Sequence, residues 1–238
     1  YFENWFGAVG VVNYSDSIDL RISAELDNLD RYRGRFFINQ PGGRGYARAH
    51  FTGLTSDPDI AGSFSSDSVW IYGLHAGQAS AEFDLNRFLT ARAGSVSARL
   101  YSGSAWTVPY DTALAFLSVD SNIVEFDSLY LSNPDAQLSA RGMVDVAAEP
   151  QYLSVDELSI TLFDQVFSNR DPLEVEIDTT GFNLVSASIG SNGARLSVTG
   201  EIGYDETIDV SVDIRQADIA PWVNLFSPDL LVGGVASC

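Results

Sequence analysis

Two histidines, His50 and His75, a lone Cys238, and 32 aspartates and glutamates are the side chains with chemistry to offer. Neither histidine has a His, Cys or Glu neighbour at metal-ligand spacing, so each reads as a surface or rim residue rather than a zinc ligand. All 13 cations are arginine, which excludes Schiff-base and phosphate-loop lysines. Gly-x-Ser-x-Gly is absent, and Gly62-Ser63 and Gly103-Ser104 are ordinary turn material. No carboxylate pair is singled out by its context for glycoside hydrolysis. Asp57-Pro58-Asp59 and the stretch Asp16 to Asp19 could offer oxygen ligands to a weakly held calcium ion, but neither follows a calcium-loop spacing, and solvated turns are the expectation. Trp5, Trp70, Trp106 and Trp222 read as edge or core anchors rather than a sugar platform. The expectation is a protein with no catalytic residue, no metal and no cofactor.

Charge and composition narrow the partners. A net charge of −19 opposes any phosphate backbone, so nucleic acid is excluded as a partner. With 45% hydrophobic and 19% charged residues the chain is too apolar for a disordered tail. Cys238 has no second cysteine to pair with. The start, Tyr1-Phe2-Glu3-Asn4-Trp5-Phe6, lacks Met, a basic region and a continuous apolar run, and suggests a segment of a longer protein. No run reaches the roughly 18 uncharged apolar residues of a spanning helix, so a membrane anchor is expected outside this segment.

The elements that must position these residues are strands. In Ile18, Leu20, Ile22, Ala24 and Leu26 apolar residues alternate with Asp19, Arg21, Ser23, Glu25 and Asp27, so a strand there has one dry and one wet face. The same period recurs at Ala79 to Leu85, Val96 to Leu100, Leu138 to Val146, Ala194 to Ile202 and Ile208 to Ile214. On the order of sixteen strands are expected, most of five to ten residues. Turn formers at Pro41-Gly42-Gly43, Ser56-Asp57-Pro58-Asp59, Ser132-Asn133-Pro134-Asp135 and Ser191-Asn192-Gly193 would separate them. Helical period is weak; the two candidates are short, Asp218 to Phe226 and Asp84 to Leu89. The sequence therefore predicts an all-β, mostly antiparallel fold with one or two short helices and no internal domain boundary.

The chain also repeats itself. Leu131 to Gly142 (LSNPDAQLSARG) aligns without gaps on Ile189 to Gly200 (IGSNGARLSVTG), Leu138 falling on Leu196. Tyr14, Ile18, Leu20 and Ile22 find counterparts in Tyr204, Ile208, Val210 and Val212. The uneven spacing fits a degenerate β-hairpin unit better than the strict period of a propeller.

Three stretches resemble the TamB/AsmA-like family of the Gram-negative envelope. The first is Gly45-Tyr46-Ala47-Arg48-Ala49-His50-Phe51-Thr52-Gly53 followed by Asp57-Pro58-Asp59-Ile60-Ala61-Gly62. The second runs from Leu158 through Asp164 to Asn169, Leu173-Glu174-Val175, Arg195 to Gly200 and Ile208-Asp209-Val210 to Asp218-Ile219-Ala220-Pro221-Trp222. The third is Ala136-Gln137-Leu138-Ser139-Ala140-Arg141-Gly142. The resemblance implies a β-taco, an elongated sheet folded lengthwise into a trough that is apolar inside. It also implies a periplasmic location, an inner-membrane anchor, phospholipid transport between the inner and outer membranes, and an outer-membrane barrel of the TamA/BamA type as partner.

Physical chemistry makes such a trough sufficient without catalysis. A two-chain phospholipid exposes roughly thirty methylenes, whose transfer to water costs on the order of 24 kcal/mol at about 0.8 kcal/mol each. A continuous apolar surface removes most of that barrier. Roughly sixteen strands about 4.8 Å apart would extend it by about 75 Å. By parity, the residues expected to line it and touch phospholipid acyl chains are Ile18, Leu20, Ile22, Phe83, Leu85, Val96, Leu100, Leu138, Val144, Leu196, Val198, Ile208, Val210 and Val212. The same alternation would equally build the core of a closed β-sandwich, as in an extracellular adhesin or carbohydrate-binding module. It would also build an outer-membrane barrel, against which the expected strand lengths argue.

Overall fold

The computed structural model describes residues 5–13, 16–27, 41–71, 74–105, 108–162, 165–191, 194–205, 207–215, 217–218 and 235–236. They are built from antiparallel strands, and no helix occurs among them. Two compact units divide the chain, residues 1–134 and 135–238.

In the first unit, β1 (Trp5–Val12), β2 (Ser17–Leu26), β3 (Pro41–Leu54), β4 (Asp57–Ile71), β5 (Leu74–Asn86), β6 (Ala93–Ala105), β7 (Val108–Asp120) and β8 (Ile123–Ser132) lie in sequence order, each antiparallel to the next. Strands β3 to β7 run to 14, 15, 13, 13 and 13 residues, longer than the alternation alone predicts. The reason is that the period slips inside them. Val69 and Ala76 stand three residues from Ser66 and Ala79, which strict alternation would put on the opposite face. Instead they pack in one buried cluster with Ala79, Phe64 and Leu100. The slip is built from a register shift between Arg44 and Tyr46 and from Ser102, which takes φ +53°. These strand lengths remove the ground on which a barrel was disfavoured. What opposes closure within this unit is that β1 hydrogen-bonds only β2 among the described residues.

Two expected features change on inspection. Pro41-Gly42-Gly43 opens β3 instead of turning, with Gly42 directly beneath the Trp70 ring, where a Cβ would meet ring atoms at 1.8 Å. Asp84 to Leu89 is not a helix: Asp84 to Asn86 end β5, and residues 87–91 form a turn held by side chains of the adjoining hairpin. The other helical candidate, Asp218 to Phe226, lies outside the described residues after Asp218.

The second unit contains β9 (Ala136–Asp145), β10 (Gln151–Leu162), β11 (Gln165–Asn169), β12 (Leu173–Ile177), β13 (Gly181–Ser191), β14 (Ala194–Gly203) and β15 (Ile208–Arg215). A two-residue pair, β16 (Ala217–Asp218) with β17 (Val235–Ala236), follows. Strands β11 and β12 both pair with β10 and with β13, so they are two halves of one strand position, broken at residues 170–172. Pro172 cannot donate to a ladder, and Asn169 fills the break. Its Oδ1 accepts from the Leu158 amide at 2.7 Å, and its Nδ2 faces the carbonyls of Val155, Asp156 and Asp171 at 3.0 to 3.1 Å. Register shifts at Val155/Glu157, Glu174/Val175 and Leu184/Ala187 again interrupt the alternation.

Candidate functional site

Residues directly opposite each other in an antiparallel pair share a face, so the registers sort each unit into two surfaces. In the first unit one row runs Leu20–Phe51–Ile60–Leu85–Gly94–Val119–Val124 from β2 to β8. The next runs Ile22–Ala49–Gly62–Phe83–Val96–Leu117–Phe126, and a third begins Ala24–Ala47–Phe64–Ala81–Ala98–Ala115. Ser66–Ala79–Leu100–Ala113–Leu131 follows. This face carries no charged side chain along these rows. The opposite face carries Asp19, Arg21, Glu25, His50, Arg48, Glu82, Asp84 and Arg99.

In the second unit the rows are Ile214–Leu196–Ile189, Val212–Val198–Ala187 and Val210–Gly200–Leu184–Val175–Leu153–Val144. Ile208–Ile202–Phe182–Ile177 completes them, and Leu138 stands beside Ile160 and Phe167. All fourteen residues singled out by parity therefore lie on these apolar faces: Ile18, Leu20, Ile22, Phe83, Leu85, Val96 and Leu100 in the first unit, and Leu138, Val144, Leu196, Val198, Ile208, Val210 and Val212 in the second. None of the fourteen is buried; twelve are half-buried, while Ile208 and Val212 are exposed. Sequence reading did not assign Phe51, Phe64, Leu117, Phe126, Ile160 or Val175 to these faces. Five of the six have polar neighbours on both sides, so the same alternation could have placed them; only Leu117, beside Phe116, sits in an apolar run where parity is ambiguous until a partner strand is known.

Apolar cover is thin in both units. Only seven apolar side chains are buried among the described residues: Ala24, Ile60, Val69, Ala76, Ala79, Tyr110 and Phe126. Where bulky rings stand on the apolar face, glycines opposite receive them. A Cβ at Gly62 would meet the Phe83 ring at 2.4 Å, and one at Gly103 would meet the Tyr110 ring at 2.6 Å. Each glycine allows its aromatic partner to lie along the sheet, covering bare backbone. The Tyr110 hydroxyl completes this by donating to the His75 carbonyl at 2.6 Å, and burial pushes its pKa up.

The polar side chains are held in place by local bonds. His50 pairs with Asp19 at 2.8 Å on the charged face of β2 and β3, and this hydrogen bond holds the Asp19 carboxyl below its usual range. His75 is exposed. Asp57 is not the solvated turn residue expected from Ser56-Asp57-Pro58-Asp59. It is buried, accepting from the Thr90 hydroxyl, from the amides of Leu89 at 3.0 Å and Thr90 at 3.2 Å, and from Arg87 Nε at 3.1 Å. The Thr90 hydroxyl first, with the other donors behind it, lowers the pKa of Asp57. A carboxylate so surrounded by donors serves as an anchor for the chain. Among the described residues no group of three or more His, Cys, Asp or Glu side chains is arranged to hold a metal ion. No described helix is long and apolar enough to cross a membrane. No family model, curated protein or solved structure matches this chain.

Proposed function

We propose that this chain is a section of a lipid conduit: its apolar faces carry the acyl chains of phospholipids, with headgroups left in water and no chemical step. The observation that carries the reading is the set of uncharged rows running from strand to strand in both units while most of their side chains stay half-buried or exposed. A face built as a sealed core would bury Leu20, Phe83 or Val198; here a hydrocarbon guest would complete their cover. Because the tails would never enter water, most of the roughly 24 kcal/mol transfer cost is avoided along the way. The likeness to the TamB/AsmA-like proteins supplies the setting. It is a β-taco trough in the periplasm of a Gram-negative-type envelope, moving phospholipid between inner and outer membranes. Anchoring and docking to a TamA/BamA-type barrel would be made by parts outside this segment.

The test is to purify the chain and extract it for mass spectrometry of bound lipid. Phospholipid is expected with the native chain and is expected to be lost in Leu20→Asp and in Val210→Asp, each with a β-type far-UV spectrum retained. A native chain free of lipid, or two variants loaded as fully as the native one, would contradict the reading.

A further inference from the structure

The hairpins β1–β2 and β14–β15 are two copies of one unit. The alignment that sets Tyr14 on Tyr204 and Ile18 on Ile208 extends back without a gap to Gly10 on Gly200 and Phe6 on Leu196. The geometry repeats with the sequence. Gly10 stands opposite Leu20 as Gly200 stands opposite Val210, and a Cβ on either glycine would collide with a backbone carbonyl oxygen, that of Asp19 or that of Asp209. The same bond closes each hairpin at 2.8 Å, from the Asn13 amide to the Ser17 carbonyl and from the Gly203 amide to the Thr207 carbonyl. The two copies differ on their outer side. There β14 is paired by β13, whereas β1 pairs only β2 among the described residues.

Hydrogen bonding along an antiparallel pair alternates, so the Asn13–Ser17 bond fixes which backbone groups of β1 face β2: those of Trp5, Gly7, Val9 and Val11. The amides and carbonyls of Phe6, Ala8, Gly10 and Val12 face the outer edge, as those of Leu196, Val198, Gly200 and Ile202 face β13 in the copy. Composition agrees with a second partner. β1 (WFGAVGVV) carries no charge on either face, as suits an interior strand, and neither does β13 (GFNLVSASIGS). Edge strands are commonly guarded by charge or proline, and β15 carries Asp209, Asp213 and Arg215. β1 has no such guard, and its Val9 and Val11 are 77% and 69% exposed. We infer that the outer edge of β1 is a strand-addition site, which takes an uncharged extended segment of the same kind as β13, antiparallel and in the register that β13 makes on β14. Transferred to β1, that register sets the counterparts of Ile189, Ala187, Leu184 and Phe182 opposite Phe6, Ala8, Gly10 and Val12. Strand β15 of a second copy is a poor match, because its aspartates would find no cationic partner among Trp5, Gly7, Val9 and Val11.

The site stands whether or not the apolar faces carry lipid, and its test uses no lipid. The synthetic peptide GFNLVSASIGS, the sequence of β13, is added to the whole chain. Amide exchange at Phe6, Ala8, Gly10 and Val12 is expected to slow with peptide, while exchange at Val9 and Val11, already paired with β2, stays unchanged. Register is read by disulfide capture. Val11→Cys in a Cys238→Ser background is expected to link to a peptide carrying Asn183→Cys, since Val11 is the counterpart of Glu201 and Asn183 stands opposite Glu201, and not to a peptide carrying Ser188→Cys. Ala8→Pro removes one outward amide and leaves the ladder to β2 whole, so peptide binding is expected to weaken about tenfold or more at an unchanged melting temperature. No slowing at those four amides, capture regardless of where the peptide cysteine lies, or equal binding by Ala8→Pro would overturn the site. A native chain that dimerises through β1 and excludes the peptide would give the edge to a second copy and overturn it equally.

Discussion

The two units share an alternating pattern yet cover their apolar faces to different degrees. All seven buried apolar side chains among the described residues belong to the first unit. In the second, Phe182, Ile202, Val212 and Ile208 stand 41%, 44%, 51% and 72% exposed. The difference comes from three devices in β4 to β7: long strands, a shared slip in the alternation, and aromatic rings laid over glycines. Together they enclose Val69, Ala76 and Tyr110. The second unit has short strands, with β11 and β12 of five residues each, and a ladder broken at residues 170–172. Alternation therefore decides which face is apolar, while bulges and ring-on-glycine contacts decide how far that face closes.

The contrast can be broken most strongly at its best-covered point. Tyr110→Ala removes a ring that is 2% exposed together with its bond to the His75 carbonyl, and is expected to cost about 3–5 kcal/mol by denaturant unfolding. The matching truncation in the second unit, Val212→Ala, should cost less than about 1 kcal/mol, because half of that side chain already meets water. Equal losses at the two positions would remove the distinction between the units.

A smaller effect sharpens the comparison along the pH axis. Asp57 in the first unit, and Asp178 and Asp205 in the second, all have pKa values held below the usual range, each chiefly by a threonine hydroxyl, from Thr90, Thr180 and Thr207. A carboxylate with a depressed folded pKa contributes stability that is complete above its unfolded value of about 3.9 and is lost as pH falls through the folded value. Stability should thus be flat from neutral pH down to about 4 and fall below it. Asp57→Asn should shrink the acid-dependent part, with amide exchange rising first at Leu89 and Thr90. A fall in stability between pH 7 and 5 would point to other groups.

The face assignment was legible from residues 18–26, 79–85 and 194–202 because a period of two is unambiguous when polar and apolar residues strictly alternate. It was illegible where runs such as Leu114-Ala115-Phe116-Leu117 offer both parities and a bulge, between Phe116 and Leu117, makes the choice. Leu85, Phe88 and Leu89 have the spacing of a short helix. The competing outcome was set by Asp57, some thirty residues away in sequence, whose carboxylate captures the amides of Leu89 and Thr90. Local pattern cannot show such a partner. Pro41-Gly42-Gly43 has turn composition, yet Gly42 admits the Trp70 ring on a strand, a packing reason visible only across the ladder.

Site-specific photocrosslinking in living cells tests the central claim most directly. A photoreactive residue is placed in turn at Leu20, Arg21 and Ile22 in the first unit and at Asp209 and Val210 in the second. The account predicts phospholipid adducts at Leu20, Ile22 and Val210 and none at Arg21 and Asp209, following the alternation of the strand. Adducts at all five positions alike, or at none, would contradict an apolar face that carries lipid.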